Sequence, residues 1–212
     1  MKENYIFFDT KEALTDEEIL FILNLCEELL SPPTIAYINQ TKEVIERPVT
    51  SYLDKETLKA FSRNKYGIEY QSEAEKPSIR ITKSAGSGLI CIPLVEKDKY
   101  HLTKKMALKL VEGINLKGLS VSPVDFYSYR DRYRINSRTY DFPGLYWLQY
   151  YDAEEFKKQG GKAILDNPYI DAQLIKDGIF IQVGETPYDF QTPEGEDRMT
   201  KANAAMPPVV NE

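Results

Sequence analysis

Apolar residues along this chain fall in short blocks whose period switches between two and about 3.6 residues, and the switching predicts strands alternating with helices. Residues 5–9 (YIFFD) read as a short strand. Thr15-Asp16-Glu17-Glu18 has the form of a capping box, with the Thr15 hydroxyl accepting from the amide three residues on and Glu18 reaching back. The helix it opens is expected to run to about Leu30. Its apolar set (Ile19, Leu20, Phe21, Ile22, Leu23, Leu25, Cys26, Leu29, Leu30) exceeds one stripe, so cover on more than one side is predicted. Ser31-Pro32-Pro33 stops it.

Residues 34–39 and 46–53 suit strands or extended chain, and Asp54 is placed to cap a short helix over 54–63. SIRITK (78–83) and LICIPLVE (89–96) flank Ser84-Ala85-Gly86-Ser87-Gly88, which predicts a hairpin with a glycine turn. A helix is expected from about Thr103 to Ile114 on the stripe Met106, Ala107, Leu110, Val111 and Ile114, followed by extended chain at 119–129. The stretch 144–191 carries the densest signals. It reads as a strand around Trp147-Leu148, a helix capped by Asp152, a stop at Gly160-Gly161, a loop, and a hairpin of 170–175 with 178–183 turning through Lys176-Asp177-Gly178. Asp-Gly is the favoured type I′ pair there. Thr192-Pro193 caps and starts a last helix reaching about Met206, before Pro207-Pro208. Strands and helices without regular βαβ spacing predict an α+β fold, a mixed, largely antiparallel sheet with helices packed against it. The polar loop 71–77 (QSEAEKP) is the best candidate boundary, between an N-terminal α/β portion (1–77), either part of the same compact unit or a small subdomain, and a second α/β portion (78–212).

Charge changes this picture in one place. The whole net charge of −6 falls in residues 1–30, where Lys2 and Lys11 face eight acids; the rest balances at 25 of each sign. An acidic element disfavours nonspecific nucleic-acid binding and suits a basic partner, although a solvated helix face has the same pattern. No apolar run approaches the roughly 20 residues of a membrane span, and MKENYIFFDT has no secretory pattern, so a cytoplasmic protein is expected. Cys26 and Cys91 sit in apolar stretches and read as small buried hydrophobes.

Candidate chemistry is sparse. His101 is the only histidine and lies beside Lys99 and Tyr100 in what reads as a charged surface loop, without partners for a triad or a zinc site. Gly86-Ser87-Gly88 joins two strands, whereas a phosphate cradle or a nucleophile elbow leads into a helix. The carboxylate groups Asp152/Glu155, Glu185/Asp189 and Glu194/Glu196/Asp197 each have a local explanation as cap, turn or helix start. Residues 125–142 differ in quality, because Tyr127, Tyr129 and Tyr133 alternate with Arg130, Arg132 and Arg134. Tyrosine and arginine dominate protein–protein hot spots and also clamp single-stranded nucleic acid. An irregular crossover whose aromatics enter the core and whose arginines pair with acids accounts for the pattern equally well.

The order of features in the C-terminal part also resembles the type VI secretion immunity family, and immunity proteins of polymorphic-toxin systems share a similar layout. The residues that carry the resemblance are Trp147-Leu148, Gly160-Gly161, the run Asp177 to Pro187 and the run Asn203 to Val209. SGLICIPLVE with the following helix is similar to the family's middle portion, so the resemblance spans about residues 78–208. The chain departs from it in being richer in Tyr and Lys and in an Arg-rich insertion at 130–138. The resemblance implies an α/β protein that binds and neutralises a cognate secreted toxin. It carries over no catalytic residue, metal or cofactor. On this reading the partner is an effector toxin, not nucleic acid or membrane, and the candidate contact residues are Glu17 and Glu18 on the acidic helix and Tyr127, Tyr129, Arg130, Arg132, Tyr133 and Arg134. The alternatives are a carboxylate-dependent hydrolase acting on a glycan or small metabolite, and a non-enzymatic adaptor domain.

Overall fold

A computed structural model describes residues 3–39, 44–62, 67–72, 78–93, 100–122, 145–189 and 192–207. In chain order these form β1 (Glu3–Thr10), α1 (Asp16–Leu29), β2 (Ile35–Asn39), β3 (Val44–Pro48), α2 (Lys55–Ser62), β4 (Gly67–Gln71), β5 (Ser78–Thr82), β6 (Ser87–Pro93), α3 (Tyr100–Gly113) and β7 (Leu116–Ser122). There follow β8 (Leu148–Tyr151), α4 (Ala153–Lys158), a 3-10 turn (Gly161–Asp166), β9 (Asp171–Ile175), β10 (Gly178–Gln182) and α5 (Pro193–Ala204).

The described strands make one sheet of ten, in the order β3-β2-β4-β5-β6-β1-β7-β8-β10-β9. Every pairing in it is antiparallel. The α+β class is therefore as the hydrophobic pattern indicates. β1, first in sequence, lies between β6 and β7, so strands from 1–77 and from 78–212 share a single ladder.

The alternation of β1 decides where the helices go. Asn4, Ile6 and Phe8 are buried, and Asn4 donates to the Thr103 hydroxyl at 3.2 Å, which sets α3 over this face. α1 packs along α3, where Gly113 lies against the Phe21 ring and leaves no room for a Cβ. This accounts for the broad apolar surface of α1: Ile19, Ile22, Leu23, Leu25 and Cys26 are buried, and Phe21 and Leu29 pack on the core from the side. α2 adds cover over β2. At the other end, α4 packs against β8 and β10. The 3-10 turn is tied to α5 by Asn167 donating to the Ala202 carbonyl at 2.8 Å, and α5 to the entry of β8 by the Leu145 amide on Asn203 Oδ1 at 2.7 Å. Leu119, Tyr150 and Phe180 are in register on the α3 face, so the buried Ile179 and Ile181 point the other way, toward the C-terminal elements. The helices thus change faces across the sheet, and the core runs through both layers around Trp147, Tyr52, Tyr70 and Tyr146.

Several local expectations need revision. His101 is exposed in the first turn of α3, because that helix begins at Tyr100, ahead of the apolar stripe that announces it. The extended chain over 46–53 is strand only to Pro48, since the Glu27 carboxylate holds Ser51 and Tyr52 in a turn. Gly161–Asp166 forms a 3-10 turn where a plain loop is expected. In the last hairpin Gly178 pairs with Ile175 and opens β10, leaving Lys176-Asp177 as the turn, with the positive φ of 53° on Lys176. Gly178 is needed for another reason: a Cβ there would overlap the Tyr151 carbonyl and the Tyr150 ring. Cys26 and Cys91 are buried and not joined in a disulfide.

Candidate interaction surfaces

The acidic stretch of the sequence is largely spent inside its own fold. Thr15 and Glu18 form the full capping box: the Glu18 amide donates to the Thr15 hydroxyl at 3.1 Å and the Thr15 amide donates to Glu18 Oε2 at 2.9 Å. Glu18 also accepts the Asn115 amide at 3.4 Å, which joins α1 to the exit of α3. Asp16 pairs with Lys83 of the β5–β6 turn, and Glu28 with Lys105 of α3 at 3.0 Å. Glu27 accepts the Tyr52 amide at 2.9 Å and the Ser51 hydroxyl at 3.1 Å. Glu17, by contrast, is exposed and has no hydrogen bond or ion pair among the described residues. Of the two acidic contact candidates, Glu17 faces solvent and Glu18 is half-buried in a structural role. Tyr127, Tyr129, Arg130, Arg132, Tyr133 and Arg134 lie outside the described residues.

Opposite α1 and α3, the sheet carries Tyr5, Phe7 and Asp9 on β1, with Phe7 in register with Leu89 on one side and Ser120 on the other. Phe7 is 37% exposed. The period-two alternation of YIFFD contains this, since burying Ile6 and Phe8 turns Tyr5 and Phe7 outward. A depression of about 200 Å³ on this face is lined by Phe7, Asp9, Ser120, Gln149 and the tyrosines at 146 and 151. Gly118 stands opposite Asp9 in the ladder and contributes no side chain across from the carboxyl. Burial holds the Asp9 carboxyl above its ordinary value, an effect the Lys117 ammonium partly offsets. Beside it Lys11 pairs at 3.0 Å with Asp152, the N-cap of α4, whose carboxylate accepts the Glu155 amide at 2.7 Å.

The second surface is the β9 edge. Asp171, Ala172, Gln173 and Leu174 are all exposed, Leu174 by 56%. A groove of about 270 Å³ runs beside it between Lys104 and Leu108 of α3 and Asp171, Gln173, Phe180 and Gln182. The sequence marks β9 as a strand but contains no signal that it ends the sheet.

In two of the acid groups that could suggest hydrolysis, one carboxylate serves the fold. The Asp189 carboxylate accepts from the Glu185 amide (2.7 Å), the Thr186 amide (3.1 Å) and the Thr186 hydroxyl (2.8 Å), closing the turn after β10. Asp197 pairs with Lys201 at 2.6 Å within α5. Among the described residues no group of three or more His, Cys, Asp or Glu side chains gathers as a metal would require, and no helix is long and apolar enough to cross a membrane.

Comparison of the sequence with protein-family models finds no match, and comparison with curated proteins finds none either. Comparison of the fold does find similar structures. The T6SS protein PA0821 of Pseudomonas aeruginosa has a similar structure: 97% of this chain superposes on 72% of that one with a TM-score of 0.59, at 13% sequence identity. At that identity the likeness establishes a shared fold.

Proposed function

We propose that this protein is a type VI secretion immunity protein that binds a cognate effector toxin in the cytoplasm and blocks its active site. The observation that carries the reading is the likeness of fold to a T6SS protein over nearly the whole chain. It meets the family resemblance of residues 78–208, which rests on sequence alone. A binding role also suits the way carboxylates are used here, as caps, turns and ion pairs. On this reading the protein acts by occlusion and needs no cofactor. Its contact surface is drawn from the sheet face around Phe7 and Asp9, Glu17 of α1 and the Tyr/Arg segment 127–134. A specific complex of this kind buries on the order of 1,600 Å² in total, far more than any one of these patches offers alone.

The test is co-expression with the product of the adjacent gene, scored by survival of the host and by co-purification. Protection together with a one-to-one complex supports immunity. Toxicity that this protein does not relieve, with no complex formed, rules the reading out and makes a substrate screen the next step.

A further inference from the structure

The two edges of the sheet are finished differently. β3, at one end, reads Val44-Ile45-Glu46-Arg47-Pro48: its proline cannot donate to an added strand, and its charges resist one. β9, at the other end, reads Asp171-Ala172-Gln173-Leu174-Ile175 and has no proline and no cation. Its hydrogen-bonding sides follow from the turn. Ile175 pairs with Gly178 across the two-residue turn Lys176-Asp177, and such a turn is closed by a hydrogen-bonded pair. Alternation then directs Ile175, Gln173 and Asp171 toward β10, and Ala172 and Leu174 away from it. Among the described residues nothing beyond β10 hydrogen-bonds to the β9 backbone, although the Asp171 carboxylate pairs with Arg198 of α5 at 3.5 Å. The N–H and C=O of Ala172 and Leu174 therefore form an open row of two donors and two acceptors.

That row is complementary to itself. Two copies of β9 set antiparallel about a two-fold axis at Gln173 bring Ala172 opposite Leu174 of the second copy, and Leu174 opposite its Ala172. Both are hydrogen-bonded positions, so the register satisfies all the open groups with four backbone bonds. On one face each exposed Leu174 meets an alanine, large against small. On the other, the two Gln173 amides face each other at the axis, and Asp171 stands opposite Ile175, so no like charges are directly opposed. From this geometry we infer that the β9 edge is a homodimer contact, joining two ten-stranded sheets into one continuous antiparallel sheet of twice that width. The occupant is a second copy of this chain. The inference is independent of the immunity reading. A five-residue edge is small beside a standard interface, so the dimer is expected to be weak and concentration-dependent, with a dissociation constant on the order of micromolar or above.

Sedimentation of the purified protein over a concentration series tests it, together with two substitutions. Ala172→Pro removes an outward donor from each copy and no bond to β10; it should raise the dissociation constant by about 100-fold while leaving the far-UV spectrum unchanged. Gln173→Cys places two thiols at the non-hydrogen-bonded pair on the axis, where Cβ atoms approach to about 5 Å, and should give a disulfide-linked dimer under mild oxidation. Leu174→Cys, facing an alanine, should not. The native cysteines are buried and should stay out of the reaction. Should Ala172→Pro fail to fold, the contrast between the two cysteine variants still decides the matter. A wild-type protein monomeric up to about 1 mM, or equal cross-linking at Gln173 and Leu174, overturns the inference. A monomer whose complex with the adjacent gene's product is abolished by Ala172→Pro also overturns it, and assigns the edge to the partner. Failure of the immunity reading is a different result, absence of any such complex, and leaves the sedimentation outcome untouched.

Discussion

The acidic helix α1 and the β9–β10 hairpin reverse each other's appearance. In the sequence α1 is the conspicuous surface, with Asp16, Glu17, Glu18, Glu27 and Glu28 in one element; in the structure four of these five carboxylates close on the protein's own amides, hydroxyls and lysines. The hairpin looks routine in the sequence, yet one of its strands ends the sheet and is exposed along most of its length. The lesson concerns partners. A charge advertises an interaction but does not say with what, and a nearby lysine or an open helix terminus takes it first.

The comparison breaks hardest at Gly178. Gly178→Val would force a side chain into the Tyr151 carbonyl and the Tyr150 ring at the base of the hairpin, and should cost about 3 kcal/mol, read as a drop in the urea midpoint. Glu27→Ala leaves the Tyr52 amide without its acceptor and should cost about 1.5 kcal/mol in the same measurement. If it were neutral, the claim that the acids of α1 serve the fold would weaken. Thr15→Ala breaks the capping box and should cost about 1 kcal/mol.

Asp9 supplies the opposite sign. Its carboxyl is half-buried and its pKa is raised, chiefly by desolvation. A group whose folded pKa lies above its unfolded value disfavours the fold once it ionises, and that penalty fades as pH falls through the folded pKa. Asp9→Asn should therefore raise the melting temperature at pH 7, with the gain shrinking as pH falls through the raised folded pKa and gone below the ordinary aspartate value of 3.8. A gain independent of pH would attribute it to packing instead. The smallest effect is expected at Glu17: Glu17→Lys should change stability by less than about 0.5 kcal/mol, because the side chain is exposed and uncommitted. It is also the one acid of this helix whose reversal tests toxin binding cleanly. Reversing Glu18, Glu27 or Glu28 would alter the fold at the same time.

Most elements were legible because their causes are local. The box Thr15 to Glu18, the cap Asp152 before Glu155, the left-handed Gly160 and Gly161, and Thr192-Pro193 at the start of α5 all behave as their residue types require. Backbone termini need donors and acceptors within a few residues, so neighbouring side chains suffice to announce them. The last hairpin shows where that reasoning fails. Asp177-Gly178 looks like the turn, but packing of Gly178 against Tyr150 and Tyr151 draws it into β10 and leaves the positive φ to Lys176. A steric demand from a strand 27 residues earlier outweighs the local preference.

By itself the sequence determined the α+β class, the order of most elements, the helix caps and the inward positions of the strands, since these follow from side-chain periodicity and short-range hydrogen bonding. Only the tertiary structure decided that β1 sits mid-sheet, that the helices change faces, that Lys83 and Lys105 pair with Asp16 and Glu28 of α1, and that β9 is left at the edge. The reason is range: each of these depends on which distant segment arrives alongside, and no local pattern encodes the neighbour that is missing.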